Sequence, residues 1–161
     1  MIKSSFSGFA IQLAATLCLI FPLLAATSAA RADRCDELAQ QLKAQIDGLT
    51  IGKEAVNQIE LKHPAVTRAA LGCTSRNITN EVFAVTDVRK PAPAFYDFVG
   101  RAAAQVFTIP LDDARNGAAR CIKRIGLIRG YSVATRYRRL DIRCSWTKGE
   151  TMVSISRERD S

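Results

Sequence analysis

Chemistry in this chain starts with cysteine. Cys35, Cys73, Cys121 and Cys144 follow an apolar N-terminal stretch that contains the fifth, Cys18. An even number of cysteines in an exported chain points to disulfides, with three pairings formally open. A metal centre does not fit: no two cysteines stand close in sequence and His63 is the only histidine, so the spacing of a zinc motif is missing. No phosphate-cradling glycine loop and no nucleophile elbow is legible, and no cofactor is expected.

Acid–base chemistry has little to draw on. His63 precedes Pro64, and a residue before proline avoids the helical region, so an exposed structural role at an element boundary is the default. Asp112 and Asp113 are adjacent. Neighbouring side chains on a helix point in different directions, and helix capping explains the pair more simply than catalysis. Paired cysteines would leave no thiol for attack or redox cycling. An exported hydrolase remains the alternative reading, and it would need carboxylates that converge only in the fold. Its sign would be a deep pocket joining two carboxylates of raised pKa.

Positive charge is the stronger pattern. Between Arg115 and Lys148 stand ten basic residues against one acid, Asp141. Five of them, Arg136, Arg138, Arg139, Arg143 and Lys148, belong to the longest alternating stretch. If that stretch and the helix end before it face the same solvent side, they form one positive surface near Tyr131, Tyr137 and Trp146. The plain reading is a solvated face that keeps the protein soluble. The functional reading is an anionic partner: an envelope polymer bearing phosphate or carboxylate, an acidic protein, or a membrane surface. Nucleic acid is the least expected anion, because export separates the chain from most of it and no recognition motif is present.

The elements that position these residues follow from periodicity. Tyr131, Val133, Thr135 and Tyr137 share one parity, while Leu140, Ile142, Cys144 and Trp146 share the other. Both sets ask for the core, so a β-bulge near Arg138–Arg139 absorbs one residue, or the strand breaks there. Lys148-Gly149 reads as a turn into a return strand through Val153 and Ile155. Upstream, residues 111–125 read as a helix with Asp112 and Asp113 at its start and Lys123 and Arg124 at its end, in agreement with the helix dipole. Its apolar side includes Ala114, Ala118, Cys121 and Ile122, with Gly117 a tolerable weakness. Residues 94–107 suit a helix burying Phe95, Phe98, Val99 and Ala102.

In the first half, Cys35, Leu38, Leu42 and Ile46 share a helical stripe that begins near Asp33 or Arg34 and stops near Gly48. Residues 50–62 fit either a short helix or a strand. An extended segment reaches Cys73, and a strand covers 81–86. Cys73 and the strand after it rhyme with Cys144 and its return strand, and this suggests two related α-β-β halves, 33–89 and 94–161, joined by the Pro91–Pro93 connector. Local pairing, Cys35 with Cys73 and Cys121 with Cys144, would tie each helix to its own strand. The shorter loop then gains about 3 kcal/mol by chain entropy.

Lys3, the apolar run from Ile11 to Leu24, and Ala30-Arg31-Ala32 read as a signal peptide over 1–32, with cleavage after Ala32 or, as a close second, after Ala30. Its removal leaves 129 residues with 21 Lys and Arg against 15 Asp and Glu, a net charge of +6. That length suits one domain. The sequence thus describes a small disulfide-stapled α+β domain, periplasmic or secreted, whose two α-β-β halves share an antiparallel sheet. Its expected role is binding an anionic partner through the Arg-rich face.

Overall fold

In the computed structural model of the chain, the described residues are 26–55, 57–73, 78–126 and 130–158. The leader expected over 1–32 falls mostly outside them, as do Arg129 and the connection after Cys73. In chain order the elements are α1 (Ala26–Gln45), β1 (Thr50–Ala55), β2 (Gln58–Lys62), β3 (Arg68–Gly72), β4 (Ile78–Thr86), α2 (Pro93–Phe107), α3 (Leu111–Lys123), β5 (Ser132–Tyr137), β6 (Leu140–Thr147) and β7 (Glu150–Glu158). The first helix begins earlier than the expected Asp33 or Arg34.

The seven strands form one antiparallel sheet ordered β1-β2-β3-β4-β7-β6-β5. The order is symmetric about the β4–β7 seam, where Val82 pairs with Ile155 and Ala84 with Val153. On either side stand β3 and β6, then β2 and β5; with β1 beyond β2, the first half supplies four strands and the second three, against the expected two each. β1 is an extra edge strand of the first half, and α2 an extra helix of the second.

Alternation explains which face is covered. Ile59, Leu61, Leu71, Val82, Ala84, Ile142, Cys144, Val153 and Ile155 point to one side and are buried there with Leu42, Phe95, Phe98, Val99 and Ala118 of the helices. The other side carries Arg136, Asp141, Arg143, Ser154 and Ser156, all exposed or half-buried. One packed and one wetted face is what an antiparallel sheet permits, because its hairpin connections do not require helices on both faces as parallel crossovers do.

Both local disulfides form. Cys35 of α1 is joined to Cys73 after β3, and Cys121 of α3 to Cys144 of β6, each with Cα atoms 5.9 Å apart. That separation lies inside the usual range for a bridged pair. Two such bonds mark an oxidising compartment. Among the described residues, no helix is long and apolar enough to cross a membrane.

The parity conflict at Arg138–Arg139 is resolved by a chain reversal, not a bulge. Tyr137 pairs with Leu140 across a two-residue turn, in which Arg138 and Arg139 have φ of 51° and 64°. Two left-handed residues in succession make a type I′ hairpin, and residues flanking such a turn face the same side. The odd set before it and the even set after it therefore both reach the core. Residues 50–62 resolve into the β1–β2 hairpin.

Gly117 is more than a tolerable weakness. A Cβ there would lie 2.7 Å from Ile142 Cδ1 and 3.2 Å from Tyr137 Cδ1, so the missing side chain is what lets α3 settle onto the β5–β6 hairpin. Pro110, not an aspartate, is the N-cap residue of α3, which has no side-chain cap. Asp112 and Asp113 instead place negative charge in the first turn, where the helix dipole favours it.

Candidate functional site

The β5–β6 hairpin carries the predicted cations, and the fold separates them. Arg136 lies on the open sheet face, directly across from Asp141, and donates to both carboxylate oxygens at 2.9 and 3.2 Å. Arg138 leans from the turn toward α3, its Nε 3.6 Å from Asp113 Oδ2. Arg139 at the hairpin tip and Arg143 on the open face are exposed, and neither has an ion-pair partner among the described residues. Lys148 sits in the next turn, at the far end of β6.

The helix-end cations do not join this group. Arg120 lies over the Tyr137 ring at 5.5 Å, and Arg124 donates to Thr135 Oγ1 at 3.1 Å. Tyr137 and Thr135 belong to the helix-covered face, whereas Arg136 and Arg143 belong to the open one. The single positive surface that the sequence allows is thus divided by the sheet itself. Arg115 is held within the helix layer by Asp97, which also accepts from Arg101 at 2.8 Å.

The remaining candidates for chemistry have structural partners. His63 Nδ1 accepts from the Ala65 N–H at 3.1 Å, so its Nε2 is the nitrogen that donates to the Asp47 carbonyl at 3.0 Å. The ring stacks on Phe98 at 4.8 Å, so this histidine clamps the end of α1 to the turn after β2. Among the described residues, two carboxylates move clearly from their ordinary pKa, and both move down. Glu60 is lowered chiefly by the Lys53 N–H, and Asp97 chiefly by the Arg101 hydrogen bond, with Arg115 adding to it. Among the described residues, no group of three or more acids, cysteines and histidines is arranged to hold a metal.

Three cavities can be described. One of about 380 Å³ lies beside Cys73 and contains Glu81; another of about 320 Å³ lies beside His63 and contains Glu60. Neither joins two carboxylates. The third, about 590 Å³, opens between the proline connector, α2, the end of α3 and the end of β6, and is lined by Arg89, Lys90, Tyr96, Ile122, Lys123 and Trp146 among others. No acid lines it.

Neither family models, nor curated proteins, nor solved structures yield a match to this chain.

The third cavity is the part of the molecule that sequence reasoning missed. Lys123 belongs to the basic run and Trp146 to the aromatics near it, but Arg89 and Tyr96 come from the connector and the following helix. Arg89 reaches the site because the buried Thr151 hydroxyl donates to the Val88 carbonyl at 2.7 Å, with Arg89 O at 3.3 Å, anchoring the connector to β7. The guanidinium then lies 4.7 Å above the Trp146 ring. A proline connector with two cations before it was the only available signal.

Proposed function

We propose that this is a non-catalytic binding protein of the periplasm or extracellular space, exported by removal of residues 1–32, that engages an anionic envelope polymer through the β5–β6 hairpin. The observation that carries the reading is the hairpin tip. A type I′ turn favours Asn-Gly, since both residues adopt positive φ, yet Arg138 and Arg139 occupy it in that conformation. Arginine gains nothing for the turn, so its presence there is better explained by what its guanidinium offers outward. Exposed Arg139 and Arg143 are uncommitted, while Arg136 and Arg138 can exchange an intramolecular carboxylate for one on a partner. The planar fork of arginine suits carboxylate and phosphate groups.

Binding of this kind is governed by charge and weakens with salt, because the screening length is only about 10 Å at 0.1 M. Titration of the wild type and of an Arg139→Ser/Arg143→Ser variant with an anionic envelope polymer, across a salt series, tests it. The expected result is salt-sensitive binding that the variant loses. Equal binding by both proteins, or none by either at low salt, removes the reading. Acidic protein and anionic vesicles, run in parallel, identify the alternative partners. Export is tested separately: protein recovered from its native host is expected to begin at Asp33, or at Arg31 if cleavage follows Ala30.

A further inference from the structure

The cleft between the connector, α2, α3 and β6 is chemically unlike the hairpin tip. Its volume, about 590 Å³, falls within the range that holds small molecules. Tyr96 and Trp146 supply aromatic surface, and Ile122 and Ile125 add aliphatic lining. Arg89, Lys90 and Lys123 supply three cations, and no lining acid neutralises them. Burial pushes the Tyr96 phenol upward, so it stays a neutral hydroxyl donor at ordinary pH. The indole N–H of Trp146 is buried and has no acceptor among the described residues. A buried donor left without a partner is costly, and such groups commonly mark a place where something else binds.

We propose that this cleft binds a small aromatic carboxylate. The ring would lie against Trp146 and Tyr96, and the carboxylate would meet the guanidinium of Arg89 and the ammonium of Lys123. Arg89 already occupies the face of the Trp146 ring, so it is poised where a planar anion would be gripped by two parallel N–H donors. The walls are fixed by the second disulfide. Cys121 directly precedes Ile122 and Lys123 on α3, and Cys144 lies two residues before Trp146 on β6. The staple therefore holds the two walls at a set separation, and the site is independent of the arginines at the hairpin tip.

The chain contains a single tryptophan, Trp146, so its fluorescence reports on the cleft directly. The test titrates the disulfide-intact protein with phenylacetate and with 2-naphthoate, each beside its neutral amide, using calorimetry and Trp146 emission. Saturable binding of the carboxylates is expected, with the amides weaker by at least about tenfold, as loss of charge-assisted hydrogen bonds implies. Arg89→Ser/Lys123→Gln, both exposed positions, is expected to weaken the carboxylates by a similar factor. Arg139→Ser/Arg143→Ser is expected to leave them unchanged, which separates this site from the polymer-binding hairpin. Equal affinity for acid and amide, no saturable binding of either acid, or binding indifferent to the Arg89/Lys123 change would each overturn the proposal.

Discussion

The two halves of the sheet are built alike and charged differently. In each, a disulfide ties a helix to the strand that flanks the seam pair, at the end of β3 in the first half and within β6 in the second, and the sheet continues outward to four strands in the first half and three in the second. Residues 33–89 hold seven Lys and Arg against eight Asp and Glu; residues 94–161 hold thirteen against seven. In the first half His63 clamps α1 to the turn after β2, and Glu60 accepts from the Lys53 N–H. Among the described residues, the second half leaves Arg139, Arg143 and Lys148 without ion pairs and lines with Lys123 and Trp146 a cleft that no acid lines. One architecture thus serves mainly as scaffold on one side of the seam and carries the candidate binding features on the other.

The largest expected effect comes from cutting the staples one at a time. Replacing either cysteine pair with alanine removes loop-closure constraint worth about 3–4 kcal/mol, slightly more for the longer Cys35–Cys73 loop. Urea midpoints of the two variants are expected to be similarly lowered. Trp146 emission separates them: loss of Cys121–Cys144 frees the α3 and β6 walls of the cleft and changes it, whereas loss of Cys35–Cys73 leaves the folded-state emission unaltered. Identical emission in both variants would mean that the second staple does not shape the cleft.

Next in size is the contact of α3 with the β5–β6 hairpin. Gly117→Val inserts atoms where a Cβ alone would already stand 2.7 Å from Ile142 Cδ1, and overpacking of this kind costs about 1–3 kcal/mol. Denaturant unfolding measures it, and an unchanged midpoint would show that the helix can lift off the sheet at no cost.

The hairpin tip offers an effect of opposite sign. Arg138→Asn/Arg139→Gly restores the residues a type I′ turn favours, and relief of two left-handed arginines is expected to raise stability by about 1 kcal/mol. The Arg138–Asp113 contact that is lost is long and exposed, so it subtracts little. The same variant is expected to lose polymer binding. Stability gained together with binding lost would place the turn's strain in the service of the surface; lower stability would mean that the arginines are there to hold the fold.

Which parts of this arrangement could be read in the sequence depended on how local their causes are. Helical stripes exposed α2 and α3, alternation exposed β6 and β7, and the apolar placement of the four cysteines was enough to pair them. The β5–β6 reversal stayed ambiguous because Arg-Arg carries none of the usual turn chemistry, and a break and a bulge satisfy the same parity conflict. Residues 50–62 resisted typing because β1 is an edge strand: only Ile51 and Gly52 are even half-buried there, so it has no clear alternation. The divided charge could not be foreseen either, since which cations share a face depends on α3 lying on the side of the sheet opposite Arg136 and Arg143. The cleft is the extreme case, assembled from Arg89, Tyr96, Lys123 and Trp146, which no local pattern connects.

The smallest expected effect concerns acid. Asp97 joins α2 to α3, through Arg115, while also pairing with Arg101 on its own helix. These partners hold its pKa below the ordinary carboxylate range. A carboxylate with a lowered folded pKa binds fewer protons folded than unfolded, so its contribution is fully present above the unfolded pKa, near 3.9, and fades as pH falls through the folded value. The side chain is 38% exposed, so solvent screening limits the effect at neutral pH to about 1 kcal/mol or less. Asp97→Asn removes this contribution. Its urea midpoint is expected to lie below that of the wild type at pH 7, and the two are expected to approach one another as pH drops below about 4. A gap for Asp97→Asn that stays constant with pH would show that Asp97 joins the two helices of the second half by packing, not by its charge.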